Sequence, residues 1–209
     1  MQISKEEELI KEGNDYAYSG RFDHAIESFS KAITAAPDDY RPYVLRGLAY
    51  GKPMEYARSL ADFNKAIQIN AGDPNTYIWR ARANGALDKW HDAIEDCSKA
   101  IAIDPTIALA YSCRAWGYCR VGQFKKALHD IEQSLKLDPK NPASFDIRGY
   151  ALCHLGQCEK ALADYQKAVD LNPAYRAVYL HRAEAYEKLG KNELARLDRE
   201  RDATFNRGT

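Results

Sequence analysis

Cys153, His154 and Cys158 lie within six residues of one another, and thiolate and imidazole at short spacing are ligands that a zinc ion takes. A zinc site needs four ligands at reachable spacing. Here Cys158 falls beyond Gly156, a helix-ending residue, and Cys119 and Cys153 occupy equivalent places in neighbouring stretches of chain, so no metal site is expected. Cys97 replaces an aromatic in a helical segment and reads as a small buried hydrophobe. Nucleophilic catalysis requires a nucleophile, a base in reach and an orienting group, and nothing marks such a set. His24, His91 and His129 flank small residues of helical segments and read as surface or packing groups. Each glycine is explained by a turn or a close helix contact, which leaves no phosphate-binding loop. The chain is therefore expected to be no enzyme and to need no cofactor.

One constellation with chemical potential does recur. Arg46, Arg80, Arg114, Arg148 and Arg182 stand 34 residues apart, and each is followed sixteen residues later by a carboxylate: Asp62, Asp96, Asp130, Asp164 and Asp198. The period upstream holds Glu12 and Ser28 instead. Joint presence in five periods and joint absence in one imply that each pair meets across one structural unit. The alternative is an anion-binding strip, but paired charges more often satisfy each other than a ligand.

The elements that position these charges follow from the same period. An aromatic precedes each arginine by three residues, at Tyr43, Tyr77, Tyr111, Phe145 and Tyr179. Small residues recur at Gly13, Gly47, Ala81, Ala115, Gly149 and Ala183, again from Ala25 to Ala195, and again from Ala32 to Ala168. Apolar residues within one period are spaced by three and four, which writes an amphipathic helix twice. Gly20, Gly122, Gly156 and Gly190 fall between the two helices, where a left-handed residue ends the first. Pro37, Pro105, Pro139 and Pro173 stop the second. The second period departs, with Pro53 and Met54 in its turn and Ala71 in place of the closing proline.

With Gly13, Tyr16, Ala25, Phe29, Ala32 and Pro37 at fixed offsets, the stretch from Glu6 to Asp39 resembles the tetratricopeptide repeat family. The resemblance implies an all-α fold, a right-handed superhelical solenoid of antiparallel helix-turn-helix repeats. It divides the chain into repeats at 6–39, 40–73, 74–107, 108–141 and 142–175, a sixth polar, capping repeat at 176–205, and tails at 1–5 and 206–209. Arg199 and Asp202 take apolar positions in that last repeat, and arrays of hairpins need such polar ends.

In each first helix, positions 4, 8 and 11 of the repeat face the partner helix, so positions 2, 5, 6, 9 and 13 point elsewhere. The family resemblance implies that these line a concave surface. The expected partner-binding groove comprises Asn14, Tyr18, Arg41, Leu45, Leu48, Trp79, Arg82, Cys113, Trp116, Ile147, Tyr150, His154 and His181. Leu45, Leu48 and Ile147 fit packing against the next first helix equally well. Tryptophan, tyrosine and arginine are the residue types that dominate interface energetics, so a peptide or protein ligand is expected. A structural scaffold that self-associates or bridges subunits is the alternative. The basic clamp by which some tetratricopeptide domains hold chaperone C-termini would need its residues at Ile10, Asn14, Leu45, Asn75 and Trp79; only Asn14 matches.

Charge and composition narrow the partners. Thirty basic and thirty acidic residues leave no basic footprint for nucleic acid. No apolar run is long enough to cross a membrane. The N-terminus lacks a secretory signal, and five cysteines suggest no disulfide framework, which favours a reducing, cytoplasmic setting. The polar sixth repeat argues against end-to-end stacking and favours a monomer.

Overall fold

The computed structural model describes residues 4–52 and 54–205. The expected tails at 1–3 and 206–209, and the place of Pro53 in its turn, lie outside these residues. Ser4 and Lys5, expected in a tail, instead cap and open the first helix: Ser4 Oγ accepts the Glu7 amide at 3.3 Å. The described residues form helices only, and they divide into two compact units meeting at Pro105 and Thr106. The first unit holds α1 (Lys5–Tyr18), α2 (Phe22–Ala35), α3 (Arg41–Gly51), α4 (Tyr56–Ile69), α5 (Pro74–Ala86) and α6 (Trp90–Ile103). The second holds α7 (Ala108–Arg120), α8 (Phe124–Leu137), α9 (Pro142–His154), α10 (Cys158–Leu171), α11 (Ala177–Lys188) and α12 (Asn192–Phe205).

Each unit is three helical hairpins laid side by side, every helix touching its chain neighbours and every first helix touching the next first helix of its unit. Helices of 11 to 14 residues are marginal alone, so tertiary burial must supply their stability. Local signals set their ends. Asp73 caps α5 by accepting the amides of Asn75 and Thr76, and Pro74 and Pro142 sit where a missing N–H costs nothing. The hairpin turns need a left-handed residue. Gly20, Gly122, Gly156 and Gly190 supply it with φ between 71° and 79°, whereas the second and third hairpins use Met54 (φ 63°) and Asp88 (φ 57°).

Inside each hairpin the two helices approach closely enough that one side chain decides its opposite. A methyl group on Gly13, Gly47 or Gly149 would lie 2.4, 2.8 or 2.7 Å from the rings of Phe29, Phe63 or Tyr165. Where the first helix carries Ala81 or Ala115 instead, the second carries the smaller Cys97 or Ile131, both fully buried. Size is thus traded across the contact, as close packing demands.

Beside this contact run the charge pairs. In all five, Nε and Nη2 of the arginine donate to the two carboxylate oxygens: Arg46 to Asp62, Arg80 to Asp96, Arg114 to Asp130, Arg148 to Asp164, and Arg182 to Asp198, at 2.5–3.0 Å. The equivalent place in the first hairpin is also bridged, by Ser28 Oγ donating to Glu12 at 3.2 Å. The arginines reach further than their own hairpin. Nη1 of Arg46 donates to Ser30, that of Arg80 to Asn64 and that of Arg182 to Gln166, each on the second helix of the preceding hairpin. The aspartate side chains are 3–10% exposed, so the ~0.2–1 kcal/mol of exposed ion pairs does not apply. The sixth hairpin is polar where the others are apolar. Arg199, at the ring position, is exposed and donates to Glu187 at 2.9 and 3.0 Å, and Asp202 is buried against Arg176.

Arg182→Met strands a buried carboxylate and is expected to cost about 3 kcal/mol in urea denaturation; a loss under about 1 kcal/mol would place the pair with exposed ones. Gly149→Ala is expected to cost about 1–3 kcal/mol despite alanine's better helix propensity, and Tyr165→Leu in the same chain to recover part of it. Additive losses would show that the two residues do not compete for space.

Candidate interaction site

The first helices of each unit present the positions left over from hairpin packing. In the first unit Trp79 is half-buried on α5, and Arg82, one turn on, holds its guanidinium 5.2 Å from the indole ring. Trp79 and Arg82 of α5 face Leu48 of α3 across a cavity of about 490 Å³. Phe63, Gly47, Gly51, Lys52 and Ala86 also line it. Leu45 packs onto the core cluster of Ala25, Phe29 and Ala49. Arg41 is bound by Asp39, Glu6 and Glu7, with Asp39 and Glu7 raising its pKa, so it is committed to intramolecular pairs. Asn14 is half-buried and Tyr18 is 94% exposed. Of the expected residues in this unit, the cavity gathers Leu48, Trp79 and Arg82.

In the second unit, side chains of α7, α9 and α11 close into an aromatic cluster. Trp116 meets Tyr150 edge-on at 5.3 Å and His181 at 5.8 Å, and Tyr150 meets His154 at 4.4 Å. Phe124, at the start of α8, stacks on His154 at 4.8 Å, and Arg120 lies over Trp116. Cys113 is half-buried, and Ile147 is 8% exposed in the core with Ala115 and Ile131, so packing claims it.

Beneath the cluster sits a carboxylate that sequence reading passed over. Asp146 is 1% exposed; it accepts from Tyr175 Oη at 3.2 Å and lies 2.9 and 3.0 Å from His181 Nδ1. A signal existed, because its place in the repeat is otherwise filled by Ile10, Val44, Ile78, Ser112 and Leu180. Burial alone would favour the neutral imidazole, but the hydrogen bond and charge of Asp146 outweigh it and raise the His181 pKa above 6.5. His154 goes the other way, lowered by burial and by Lys188. Burial pushes the Cys119 thiol up to about 12, which keeps it from acting as a thiolate.

The expectation that the cysteines form no disulfide is corrected. Cys153 and Cys158 are bonded, their Cα atoms 4.0 Å apart, and the reducing-compartment argument built on their spacing falls with it. The turn at Gly156 (φ 79°) folds the chain back, so the first residue of α10 lands on the last turn of α9. Other hairpins fill this spot with a ring, as where Trp90 lies 2.8 Å from a methyl built on Gly85. Among the described residues no three potential ligands cluster for a metal ion, and no helix is long and apolar enough to cross a membrane.

Family models described as tetratricopeptide repeat match residues 10–74 and 108–141, and one described as TPR repeat matches 149–190. No curated protein matches significantly. Among solved structures, PilW, described as a widely conserved type IV pilus biogenesis factor, aligns with TM-score 0.83 at 18% identity over 99% of this chain and 94% of its own. A tetratricopeptide repeat protein from Parabacteroides merdae aligns with TM-score 0.79 at 21% identity, covering 95% and 79%. A chain of the APC/C hetero-tetramer Cut9–Hcn1 aligns with TM-score 0.87 at 15% identity, covering 98% of this chain and 40% of that one. At these identities the likeness is one of fold.

A folded-state pKa above the unfolded one means that the imidazolium of His181 stabilises the fold, fully so below pH 6.5 and fading as pH rises through the raised value. The stability gap between wild type and His181→Gln should therefore narrow as pH is taken from about 5 to 8, read by urea denaturation at each pH. A gap that widens would mean a neutral His181 in the folded chain.

Proposed function

This chain belongs to the tetratricopeptide repeat family, and on that premise we propose that it is a non-catalytic interaction module whose first-helix faces take a peptide or protein segment of another molecule. The observation that carries this reading is the cavity between α3 and α5, where Trp79 and Leu48 stand unfilled beside one another. Hairpin packing leaves these positions over, and both side chains keep exposed surface that a partner can cover. Trp116, Tyr150 and His154 offer a second aromatic surface on the other unit. Proteins of the same fold support the reading in kind: PilW is named for pilus biogenesis and the Cut9–Hcn1 chain comes from a hetero-tetramer. The arginine–aspartate ladder has a structural role in this account, because each carboxylate is already saturated by its own arginine.

Affinity capture from a native lysate tests it. Proteins retained by the intact chain should be lost, by about tenfold or more, on the Trp79→Ala/Trp116→Ala chain, with the thermal melt followed by circular dichroism unchanged. Equal retention by both chains would remove these faces from the binding surface.

A further inference from the structure

The cavity between α3 and α5 has a chemistry that narrows its occupant. Leu48, Phe63, Trp79 and Ala83 give it a largely apolar lining, and the buried hydroxyl of Ser59 is spent on the Gly47 carbonyl at 2.8 Å. Tyr56, half-buried, adds a ring to the lining, and carbon surface predominates, so the space favours a hydrocarbon or aromatic side chain. A volume of about 490 Å³ is ample for one.

The edge is different. Lys52 and Arg82 are both exposed there, and no aspartate or glutamate lines the cavity. Four other arginines of this unit are neutralised, Arg41 by Asp39, Arg46 by Asp62, Arg58 by Glu55 and Arg80 by Asp96, whereas Arg21 lies over the Tyr16 ring. Among the described residues, neither Arg82 nor Lys52 has a carboxylate within 4.0 Å. Arg82 instead lies over the Trp79 ring, 5.2 Å from its centroid, which holds an exposed guanidinium beside the cavity lining.

We propose that this cavity binds an acidic peptide segment of a partner protein, with a bulky apolar side chain seated between α3 and α5 and an adjacent carboxylate held by Arg82 and Lys52. The inference rests on the interaction-module reading and assigns the partner's chemistry. An unbalanced pair of cations around an apolar hole selects both features together, since each alone would bind weakly. A nucleic acid is disfavoured, as two cations provide a short track for a phosphate backbone and the chain as a whole carries thirty charges of each sign.

Gly51 allows a clean test. A methyl built there comes no nearer to any neighbour than 3.9 Å, at Ser59 Oγ, so a Cβ is accommodated and the rest of the Gly51→Leu side chain takes up cavity space. A displayed library of short random peptides is selected on the full chain, and the enriched sequences are synthesised and titrated by fluorescence anisotropy. The selected peptides should place Leu, Ile, Phe or Trp within a residue or two of Asp or Glu. Gly51→Leu and Arg82→Glu should each weaken them by about tenfold or more, and added salt should weaken them further. Peptides rich in Lys or Arg, or peptides indifferent to both variants but lost on Trp116→Ala, would overturn this inference while leaving the interaction module standing. Tighter binding of a single-stranded RNA oligonucleotide than of any acidic peptide would overturn it as well. Failure to enrich any peptide, together with equal lysate capture by the double tryptophan variant, would overturn both.

Discussion

The repeating arginines tie one helix to the next. Each planar fork spends two nitrogens on the aspartate across its own hairpin, and in Arg46, Arg80 and Arg182 the third nitrogen reaches the second helix of the hairpin before. A lysine could not do this, because one rotatable ammonium has no fixed pair of donors for a carboxylate and a third direction to spare. Helices of 11 to 14 residues that lack long-range partners would fray, so register between them has to be imposed by groups that cross from one to the next. The buried aspartates make the tie strict, since a slipped register leaves a carboxylate without its counter-charge.

Next to the tie, glycine against aromatic and alanine against a smaller side chain set the distance between paired helices. Together these two devices consume the same few positions in every hairpin and leave the rest of each first helix free to vary. Function in such a fold resides on those remaining positions, which is why the comparison structures share architecture with this chain at 15–21% identity and imply little about its ligand.

The two units use that freedom differently. Around α3 and α5 small residues, Gly51 and Ala86, leave Trp79 and Leu48 facing an open cavity. Around α7, α9 and α11, Trp116, Tyr150, His154 and His181 instead fill one another's space above Asp146. One face is an opening with charge at its edge; the other is a closed surface whose central histidine is already paired.

The sequence alone determined the hairpins and their phase. A 34-residue recurrence of small, aromatic and charged residues has a local cause at every step, in helix periodicity, left-handed turn residues and helix-stopping prolines, so it can be read without coordinates. It also paired each arginine with its aspartate, because both recur together. Only the tertiary structure decided what the non-repeating residues do. Ile147 went to the core and Arg41 to Glu6, Glu7 and Asp39, Cys153 met Cys158 across the Gly156 turn, and Asp146 found His181 and Tyr175 on another helix. The third bond of the arginines and the cavity beside Trp79 likewise arise between hairpins. Such contacts depend on how neighbouring helices face and how far apart they lie, and a single occurrence carries no period from which that geometry could be inferred.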